Sequence, residues 1–405
     1  MKYGEKKRHD LSYRLAWTLL HSYLSRKFNF EYDTITVDHS PYIVIANHVT
    51  NWDPILIGLS FRKSMYYVST DHVLRMGWKS KLLKFFFSPI ARAKSTQEIQ
   101  TVITIFRRLK ENCNICIFAE GNCSYDGVTG EIQRSIGKLV KKSGVALVTY
   151  RFSGSFFTFP RWARFMRKGK MSGKLVQTYS PEKLAAMSED EIYEAIKNDI
   201  YVNAYDDQKK NPAAFRGKLP AESLETALYC CPQCRQFATL TSRDDELFCT
   251  CGFRVRFNEF GYFEYPEGSR TPPEPHSPPP FTTILDWSKW QSGEINALAE
   301  RAVAFDSNVP IFSDPDQELF LVARASSNTL LTKGTLCLYN DRISFISAAS
   351  ETVEFPLATI VDMSTITMKT IIFSTKENKV YEVHSEHPRS ALKYLEMFKA
   401  IKAKE

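Results

Sequence analysis

A histidine and an aspartate stand close together near residue 50. The segment 47–54 reads Asn-His-Val-Thr-Asn-Trp-Asp-Pro, which places four residues between His48 and Asp53. A carboxylate that hydrogen-bonds one imidazole nitrogen fixes the tautomer of the ring and raises its basicity, and the other nitrogen can then take a proton from an alcohol. The pair therefore indicates a general base. A surface histidine beside a helix-capping aspartate is the alternative that two residues alone leave open.

The pair lies where an apolar strand meets a helix. Residues 42–46 form a compact apolar run before His48, and Asp53-Pro54 has the pattern of a helix N-cap followed by proline at the first helical position. Further apolar runs predict strands buried on both faces at 65–68, 115–118 and 145–148.

Helical patterns separate these strands. Apolar residues at 99, 102, 103, 106 and 109 predict an amphipathic helix, and Ser95 with Glu98 predicts a capping box at its start. Ser188 with Glu191 predicts a second capping box later in the chain. Strands that alternate with helices predict an α/β domain, here a mixed sheet flanked by helices.

Three short motifs follow one another in the first part of the chain. They are His-x4-Asp at residues 48–53, Ile90-Ala91-Arg92, and Phe118-Ala119-Glu120-Gly121-Asn122-Cys123-Ser124. In this order they resemble the motifs of the glycerolipid acyltransferase family, which includes the 1-acylglycerol-3-phosphate acyltransferases. The resemblance implies that His48 is the general base on the acceptor hydroxyl and that Asp53 orients it. It also implies that Arg92, Glu120 and Gly121 bind substrate, and that the acceptor attacks the thioester directly, without a covalent enzyme intermediate.

Two positions depart from the family pattern. The third motif usually reads Phe-Pro-Glu-Gly-Thr-Arg-Ser, with its arginine thought to meet the acceptor phosphate, whereas this chain has Asn122-Cys123-Ser124. A fourth motif usually carries a proline where residues 145–149 read Val-Ala-Leu-Val-Thr. Both departures concern the identity of the acceptor rather than the chemistry. Cys123 as a nucleophile is the less favoured alternative, because the sequence indicates no separate base for it.

Two basic segments suggest an anionic partner. Residues 160–174 contain six lysine and arginine residues and no acidic residue, and we predict that Arg161 and Arg164 contact a phosphate group. A helix over residues 11–30 combines leucine and aromatic side chains with basic ones, which predicts contact with an anionic membrane surface. A solvated loop and a helix packed on its own domain are the respective alternatives.

Four cysteines have the spacing of a metal site. Cys231 and Cys234 form a Cys-x2-Cys pair, and after fourteen residues Cys249 and Cys251 form a Cys-x-Cys pair. Two turns that each present thiolates to one tetrahedral ion predict a zinc ribbon with a structural zinc. The second pair departs from the usual Cys-x2-Cys, and Cys230 is an alternative ligand.

Composition divides the 405-residue chain further. Lysine and arginine exceed aspartate and glutamate by 15 over residues 1–220, whereas the balance is −7 over 221–405. We predict an acyltransferase-like domain with an N-terminal amphipathic helix over 1–220, a zinc ribbon over 221–265 and a proline-rich linker over 266–281. The strands and final helix predicted over 282–405 resemble a pleckstrin-homology-like or GRAM-like domain.

These features together predict an O-acyltransferase of phospholipid biosynthesis or remodelling. The donor would be acyl-CoA or acyl carrier protein, and the acceptor a lysophospholipid such as 1-acylglycerol-3-phosphate at an anionic membrane surface. The alternative is a catalytically inactive protein whose three parts recruit lipid or protein. Nucleic-acid binding is disfavoured, because the acidic C-terminal half lacks the cations that phosphate contacts need. Without a spanning run or a secretory signal, we expect a cytoplasmic protein, peripheral at the inner face of the membrane.

Overall fold

The computed structural model of the protein describes residues 3–70, 78–92, 99–267, 277–322, 328–385, 387 and 389–404. The chain forms two compact units. The first contains most of residues 1–218, and the second contains Trp162–Arg164 and Leu219–Glu405. The predicted capping box at Ser95 and Glu98 and much of the predicted linker lie outside the described residues.

A mixed sheet is the centre of the first unit. Its strands are β1 (Phe30–Tyr32), β2 (Tyr42–Ala46), β3 (Met65–Thr70), β4 (Ile90–Arg92), β5 (Asn114–Phe118), β6 (Ala146–Ser153) and β7 (Met171–Tyr179). Among the described residues, seven strands pair in the order β1-β7-β6-β2-β5-β3-β4. Only β6 and β7 pair antiparallel within this set of strands. The arrangement confirms the predicted mixed sheet with flanking helices.

Helices cover both faces of this sheet. They are α1 (Tyr3–Phe28), α2 (Asp53–Ser60), α3 (Trp78–Phe87), α4 (Ile99–Lys110), α5 (Ser135–Ser143), α6 (Ser155–Thr158), α7 (Pro181–Ala186), α8 (Glu189–Asp199) and α9 (Ala204–Lys210). Alternate residues of β2 enter two separate apolar cores, Val44 on one face and Ile45 on the other. This two-sided burial explains why the strand is continuously apolar.

The N-termini of helices α8 and α2 test two predictions made from the sequence. At α8 the Ser188 hydroxyl accepts a hydrogen bond from Glu191 N–H, and the Glu191 carboxylate accepts one from Ser188 N–H, which confirms this capping box. At α2 the prediction was wrong by one residue. Asp53 is the first helical residue, and Trp52 is the N-cap. The side chain of Asp53 instead turns back toward the loop before the helix.

The second unit is mostly antiparallel β-structure. Its strands are β8 (Leu240–Arg243), β9 (Glu246–Cys249), β10 (Arg254–Phe257), β11 (Phe263–Glu264), β12 (Phe312–Leu321), β13 (Thr329–Leu338), β14 (Arg342–Ser347), β15 (Thr352–Pro356), β16 (Ile360–Thr365), β17 (Ile371–Thr375) and β18 (Val380–Ser385). Its helices are α10 (Ile284–Ala302) and α11 (Ala391–Lys402). In the described chain, four strands pair as β11-β10-β9-β8 and seven as β15-β14-β13-β12-β18-β17-β16.

The larger of these sheets contains two features absent from the sequence-based prediction. The apolar runs of the sequence predict six strands here, of which the first begins at Leu319, and none of them covers residues 360–365. In the structure β12 begins at Phe312, and β16 is an additional strand. The early part of β12 contains Pro315 and Asp316, residues that normally interrupt a strand. A bulge in the pairing with β13 accommodates them, and Asp316 there has φ 56°. The pleckstrin-homology-like or GRAM-like identity of this part remains a prediction.

Candidate active site

His48 and Asp53 meet at the carboxyl end of β2. His48 follows the strand after one residue, and Asp53 opens α2. The neighbouring parallel strand β5 ends at the same edge and is followed by Glu120, Gly121 and Cys123. In open α/β sheets, this edge is where ligands bind. The fold therefore brings the first and third sequence motifs to one place.

The Asp53 carboxylate holds the ring of His48 in place, and both of its oxygens accept hydrogen bonds. The Nδ1–H of His48 donates to Asp53 Oδ2 at 2.9 Å, and the N–H groups of Val49 and Thr50 donate to the same oxygen at 2.6 and 2.9 Å. The Thr50 hydroxyl donates to Asp53 Oδ1 at 2.7 Å. Because Asp53 is fully buried and accepts all four bonds, it has one orientation and fixes that of the imidazole.

The second ring nitrogen of His48 is therefore the proton acceptor. With the proton on Nδ1, Nε2 carries a lone pair, as a general base requires. The Cys123 thiol lies 3.4 Å from Nε2, and the Phe118 ring stacks on the imidazole with 4.5 Å between centroids. The side chain of His48 is 17% exposed, so the dyad opens to the surface.

Burial and two neighbouring groups change the pKa of His48. Burial lowers it, but the contacts with Cys123 and with the Asp53 carboxylate together raise the pKa well above its ordinary value. The imidazolium that forms when Nε2 takes a proton is therefore stabilised at this site.

Glu120 ties the third motif to the first. Its carboxylate accepts the His48 N–H at 2.5 Å through Oε1 and the Gly130 N–H at 2.6 Å through Oε2. Burial raises the pKa of Glu120 to about 7, and these two backbone donors oppose the rise. With both oxygens engaged by backbone groups, Glu120 positions the loop that carries His48.

Arg92 lies beside the same loop. Gly121 has φ 70°, and a Cβ built on it would stand 2.8 Å from Arg92 Nη1. The glycine thus supplies both a left-handed backbone and the space that the guanidinium occupies. Arg92 of the second motif therefore lies beside Gly121 of the third motif.

The structure separates the residues of the predicted basic loop. The Arg161 guanidinium lies 4.6 Å from the ring centre of Tyr125, two residues after Cys123. Arg164 instead forms an ion pair with Glu222 at 2.7 Å. Trp162, which membrane contact through this loop would require to be exposed, is only 3% exposed. Arg161 and Arg164 remain predicted substrate contacts, of which Arg161 is beside the third motif.

The four predicted zinc ligands form one cluster. The Sγ atoms of Cys231, Cys234, Cys249 and Cys251 all lie within 4.8 Å of one another, with 3.8 Å between Cys231 and Cys251 and 3.7 Å between Cys234 and Cys249. Tetrahedral zinc with bonds of about 2.3 Å requires sulfur atoms about 3.8 Å apart. The thiols therefore fit a zinc ion. Cys230 points elsewhere, since its thiol donates to Arg235 O.

Exposed apolar residues lie on α1 and on α3, and the sequence had predicted only those on α1. Leu11, Leu15 and Leu19 are exposed along α1 at a spacing of four residues, and Trp78 and Phe85 are exposed on α3, which packs beside it. We call these five residues the apolar helix surface. The opposite side of α1 is packed, with Tyr13 donating to Gly58 O at 2.9 Å. No helix in the described part of the chain is long and apolar enough to cross a membrane.

Comparison with known proteins shows what the part of the chain that carries this site is similar to. Residues 27–153 match the model of the family described as Acyltransferase, so this part of the chain is similar to an acyltransferase domain. An uncharacterized acyltransferase of Schizosaccharomyces pombe is 32% identical over 122 residues, which are 28% of this chain and 40% of that protein. A chloroplastic 1-acyl-sn-glycerol-3-phosphate acyltransferase of Arabidopsis thaliana is 24% identical over 143 residues, which are 34% of this chain and 39% of that protein.

A solved structure also matches. The crystal structure of the 1-acyl-sn-glycerophosphate acyltransferase PlsC from Thermotoga maritima aligns with 49% of this chain and 82% of that chain, at 18% identity and a TM-score of 0.39. The chain spans about two fifths of the length of the curated relatives it matches.

Proposed function

We propose that the protein transfers a fatty acyl group from a thioester donor, acyl-CoA or acyl carrier protein, to the hydroxyl of a lysophospholipid. One observation carries the proposal. The Nδ1–H of His48 is engaged by a buried Asp53 at 2.9 Å, which leaves Nε2 as a base at the open edge of the sheet. A base in that state can take the proton of an alcohol as the alcohol attacks an acyl carbonyl.

His48 acts at two points of the acyl-transfer reaction, first as a base and then as an acid. Nε2 removes the proton of the acceptor hydroxyl while the oxygen bonds to the acyl carbon. When the tetrahedral intermediate collapses, the imidazolium returns that proton to the departing thiolate, and an ester and a free thiol result. Asp53 stabilises the imidazolium between these two events.

A 1-acylglycerol-3-phosphate is the acceptor we favour. The motif arginine that would meet its phosphate is replaced by Cys123, so other cations have to do so. Arg92 lies against Gly121 and Arg161 lies beside Tyr125, which makes these two arginines the best placed phosphate contacts near the third motif.

The acceptor is a membrane lipid, so the protein has to reach a bilayer. We propose that the apolar helix surface enters the lipid headgroup region at the cytoplasmic, inner face of the membrane. Arg14 on α1 and Lys81 on α3 are exposed and contribute attraction to anionic lipid. The cysteine cluster would hold a structural zinc, and the β12–β18 part would act as a pleckstrin-homology-like recruitment domain.

Acyl transfer by the purified full chain tests the proposal. Palmitoyl-CoA and 1-acylglycerol-3-phosphate in anionic vesicles should yield diacylglycerol phosphate, and His48→Ala should lower kcat/KM by about 10²-fold or more. The matched control is His387→Ala, since His387 is exposed in the second unit. Activity of His48→Ala within a few-fold of the wild type would exclude His48 as the base, and absence of transfer to any lysophospholipid would exclude the function.

A further inference from the structure

Two buried cations share one carboxylate at the start of α11. Arg389 is 5% exposed and Lys393 is 2% exposed, and both lie in the second unit. Lys393 Nζ donates to Asp314 Oδ1 at 3.1 Å and to Oδ2 at 2.9 Å, and the Tyr394 hydroxyl donates to Oδ2 at 2.5 Å. Within the described part of the chain, Asp314 is the only carboxylate that acts on the charge of either cation. The cluster therefore carries one positive charge more than its acidic group balances.

The Arg389 guanidinium has unpaired hydrogen-bond donors. Its Nη2 donates to Lys369 O at 2.8 Å, but Nε and Nη1 are buried and have no hydrogen-bond partner among the described residues. A guanidinium holds its five N–H groups in a fixed planar fork, and buried polar groups are almost always hydrogen-bonded. Two unpaired donors on a buried cation therefore indicate an acceptor that binds beside them.

Burial makes an added negative charge favourable at this cluster. It lowers the pKa of Arg389 and of Lys393, and the neighbouring Asp314 opposes the change at both. A buried charge without a counter-charge is costly, because the protein interior solvates it poorly. A water molecule would accept hydrogen bonds from the guanidinium but would leave the excess charge unbalanced. An anion satisfies both the donors and the charge.

The N-terminus of α11 adds to this preference. Ser390 is the N-cap, and its hydroxyl accepts the Lys393 N–H at 3.4 Å. The Arg389 Cζ atom lies 5.3 Å from the centre of the Tyr394 ring, so the guanidinium lies against the first turns of this 12-residue helix. The aligned peptide dipoles of a helix place partial positive charge at its N-terminus and stabilise an anion there. The guanidinium and the helix dipole therefore favour an anion at the same place.

We propose that Arg389 binds a phosphate group at the N-terminus of α11, and that Lys393 supplies part of the balancing positive charge. A phosphate monoester carries about 1.5 to 2 negative charges and three acceptor oxygens, so it can accept from Nε and Nη1 together and balance the excess charge. The site belongs to the second unit and does not depend on the proposed acyl transfer. Inorganic phosphate and the phosphomonoester headgroup of a lipid present the same chemistry, and the two arms of the experiment distinguish them.

The first arm measures amide hydrogen exchange of the full-length protein in potassium phosphate and in potassium chloride of equal ionic strength. Phosphate should slow exchange over residues 366–370 and 389–394 by about 10-fold or more, because hydrogen bonds to a charged ligand hold both segments. Exchange over β14 should stay the same, which excludes a general effect of the salt.

Variants of the full-length protein localise the binding. Arg389→Gln should abolish the protection, and Arg389→Lys, which keeps the charge but not the planar fork, should retain only part of it. Arg301→Gln is the matched control, because Arg301 is exposed in the same unit, and it should be protected as the wild type is.

The second arm compares co-sedimentation with phosphatidylcholine vesicles that contain phosphatidic acid or phosphatidylglycerol at equal surface charge. A lipid ligand predicts binding to phosphatidic acid that is tighter by about 10-fold or more, a preference lost in Arg389→Gln and kept in Arg301→Gln. Protection by inorganic phosphate without this preference supports the site and assigns it to free phosphate.

Two outcomes overturn the proposal. The first is wild-type protein that shows neither local protection by phosphate nor a preference for phosphatidic acid, a result that does not depend on how any variant folds. The second is Arg389→Gln that unfolds at the temperature of the wild type and keeps both effects undiminished.

Discussion

Asp53→Asn separates the charge of the carboxylate from its geometry. Asp53 Oδ2 receives three donors, namely His48 Nδ1–H and the backbone N–H groups of Val49 and Thr50. Only an oxygen can face those donors, so the asparagine amide has to point its carbonyl there and its NH2 group toward the Thr50 hydroxyl. That hydroxyl can rotate from donor to acceptor. The variant therefore keeps the tautomer of His48 and removes only the negative charge.

The magnitude follows from that charge. An opposite charge at hydrogen-bond distance changes a pKa by about 1 to 3 units, and each unit is about 1.4 kcal/mol. We expect the pKa of His48 to fall by this amount, because the uncharged asparagine no longer stabilises the imidazolium. The imidazolium forms in the transition state, so kcat/KM should fall by about 10-fold to 10³-fold. Three hydrogen bonds also lose their ionic partner, at about 1 kcal/mol each, so the free energy of unfolding should fall by up to about 3 kcal/mol.

The assay is the pH dependence of kcat/KM from about pH 5 to about 9, together with urea unfolding. Because a lower pKa leaves His48 neutral at lower pH, the acid limb of the profile should move to lower pH in Asp53→Asn. Asp190→Asn is the matched control, since Asp190 is exposed and pairs with Arg134 on the surface. An acid limb that stays in place while activity falls would refute the assignment of Asp53 as the group that stabilises the imidazolium.

Three further predictions concern the rest of the chain. Leu15→Asp with Leu19→Asp should weaken co-sedimentation with anionic vesicles by about 10²-fold, because burying each leucine contributes about 1.5 kcal/mol or more. The control Val361→Asp, at an exposed residue of the second unit, should bind the vesicles as the wild type does. Equal binding of the double variant would exclude α1 as the contact. Elemental analysis should find one zinc ion per chain, and Cys234→Ser should release it and loosen the β8–β11 sheet; metal-free protein with that sheet intact would contradict a structural zinc. Burial lowers the pKa of His9 to about 4, so below about pH 6.5 the unfolded state binds a proton that the folded state does not. The free energy of unfolding should therefore fall by about 2 kcal/mol between about pH 6.5 and 5. His9→Phe should remove this loss, and the same pH dependence in that variant would assign it to other groups.

Local patterns determined the elements that hold the site. Continuous apolar runs marked β2 and β5, because a strand buried on both faces needs apolar residues at every position. The spacing of His48 and Asp53 within one strand–turn–helix junction determined that their side chains could meet, since only a short turn separates them. The same holds for each pair of cysteines in the metal cluster, where a tight turn places two thiols together.

Only the tertiary structure decided which distant groups share the site. Strands β2 and β5 are neighbours in the sheet, and that pairing carries Cys123 to His48 across 75 residues of chain. A sequence pattern reports burial and periodicity, but it does not report which buried edge lies beside which. For this reason the sequence did not show that Cys123 lies beside His48.

The exposed side of α1 and α3 was undetermined for the same reason. Leucines at a spacing of four residues fit a buried helix face and a membrane-facing one equally well. Packing resolved the question, because α1 buries Tyr13 and leaves Leu11, Leu15 and Leu19 exposed. In the basic loop at residues 160–174, packing instead buries Trp162, so this side chain is not available for membrane contact. The sequence by itself thus determined the chemistry available to this protein, and the tertiary structure decided where that chemistry is exposed, because exposure depends on contacts between segments far apart in the chain.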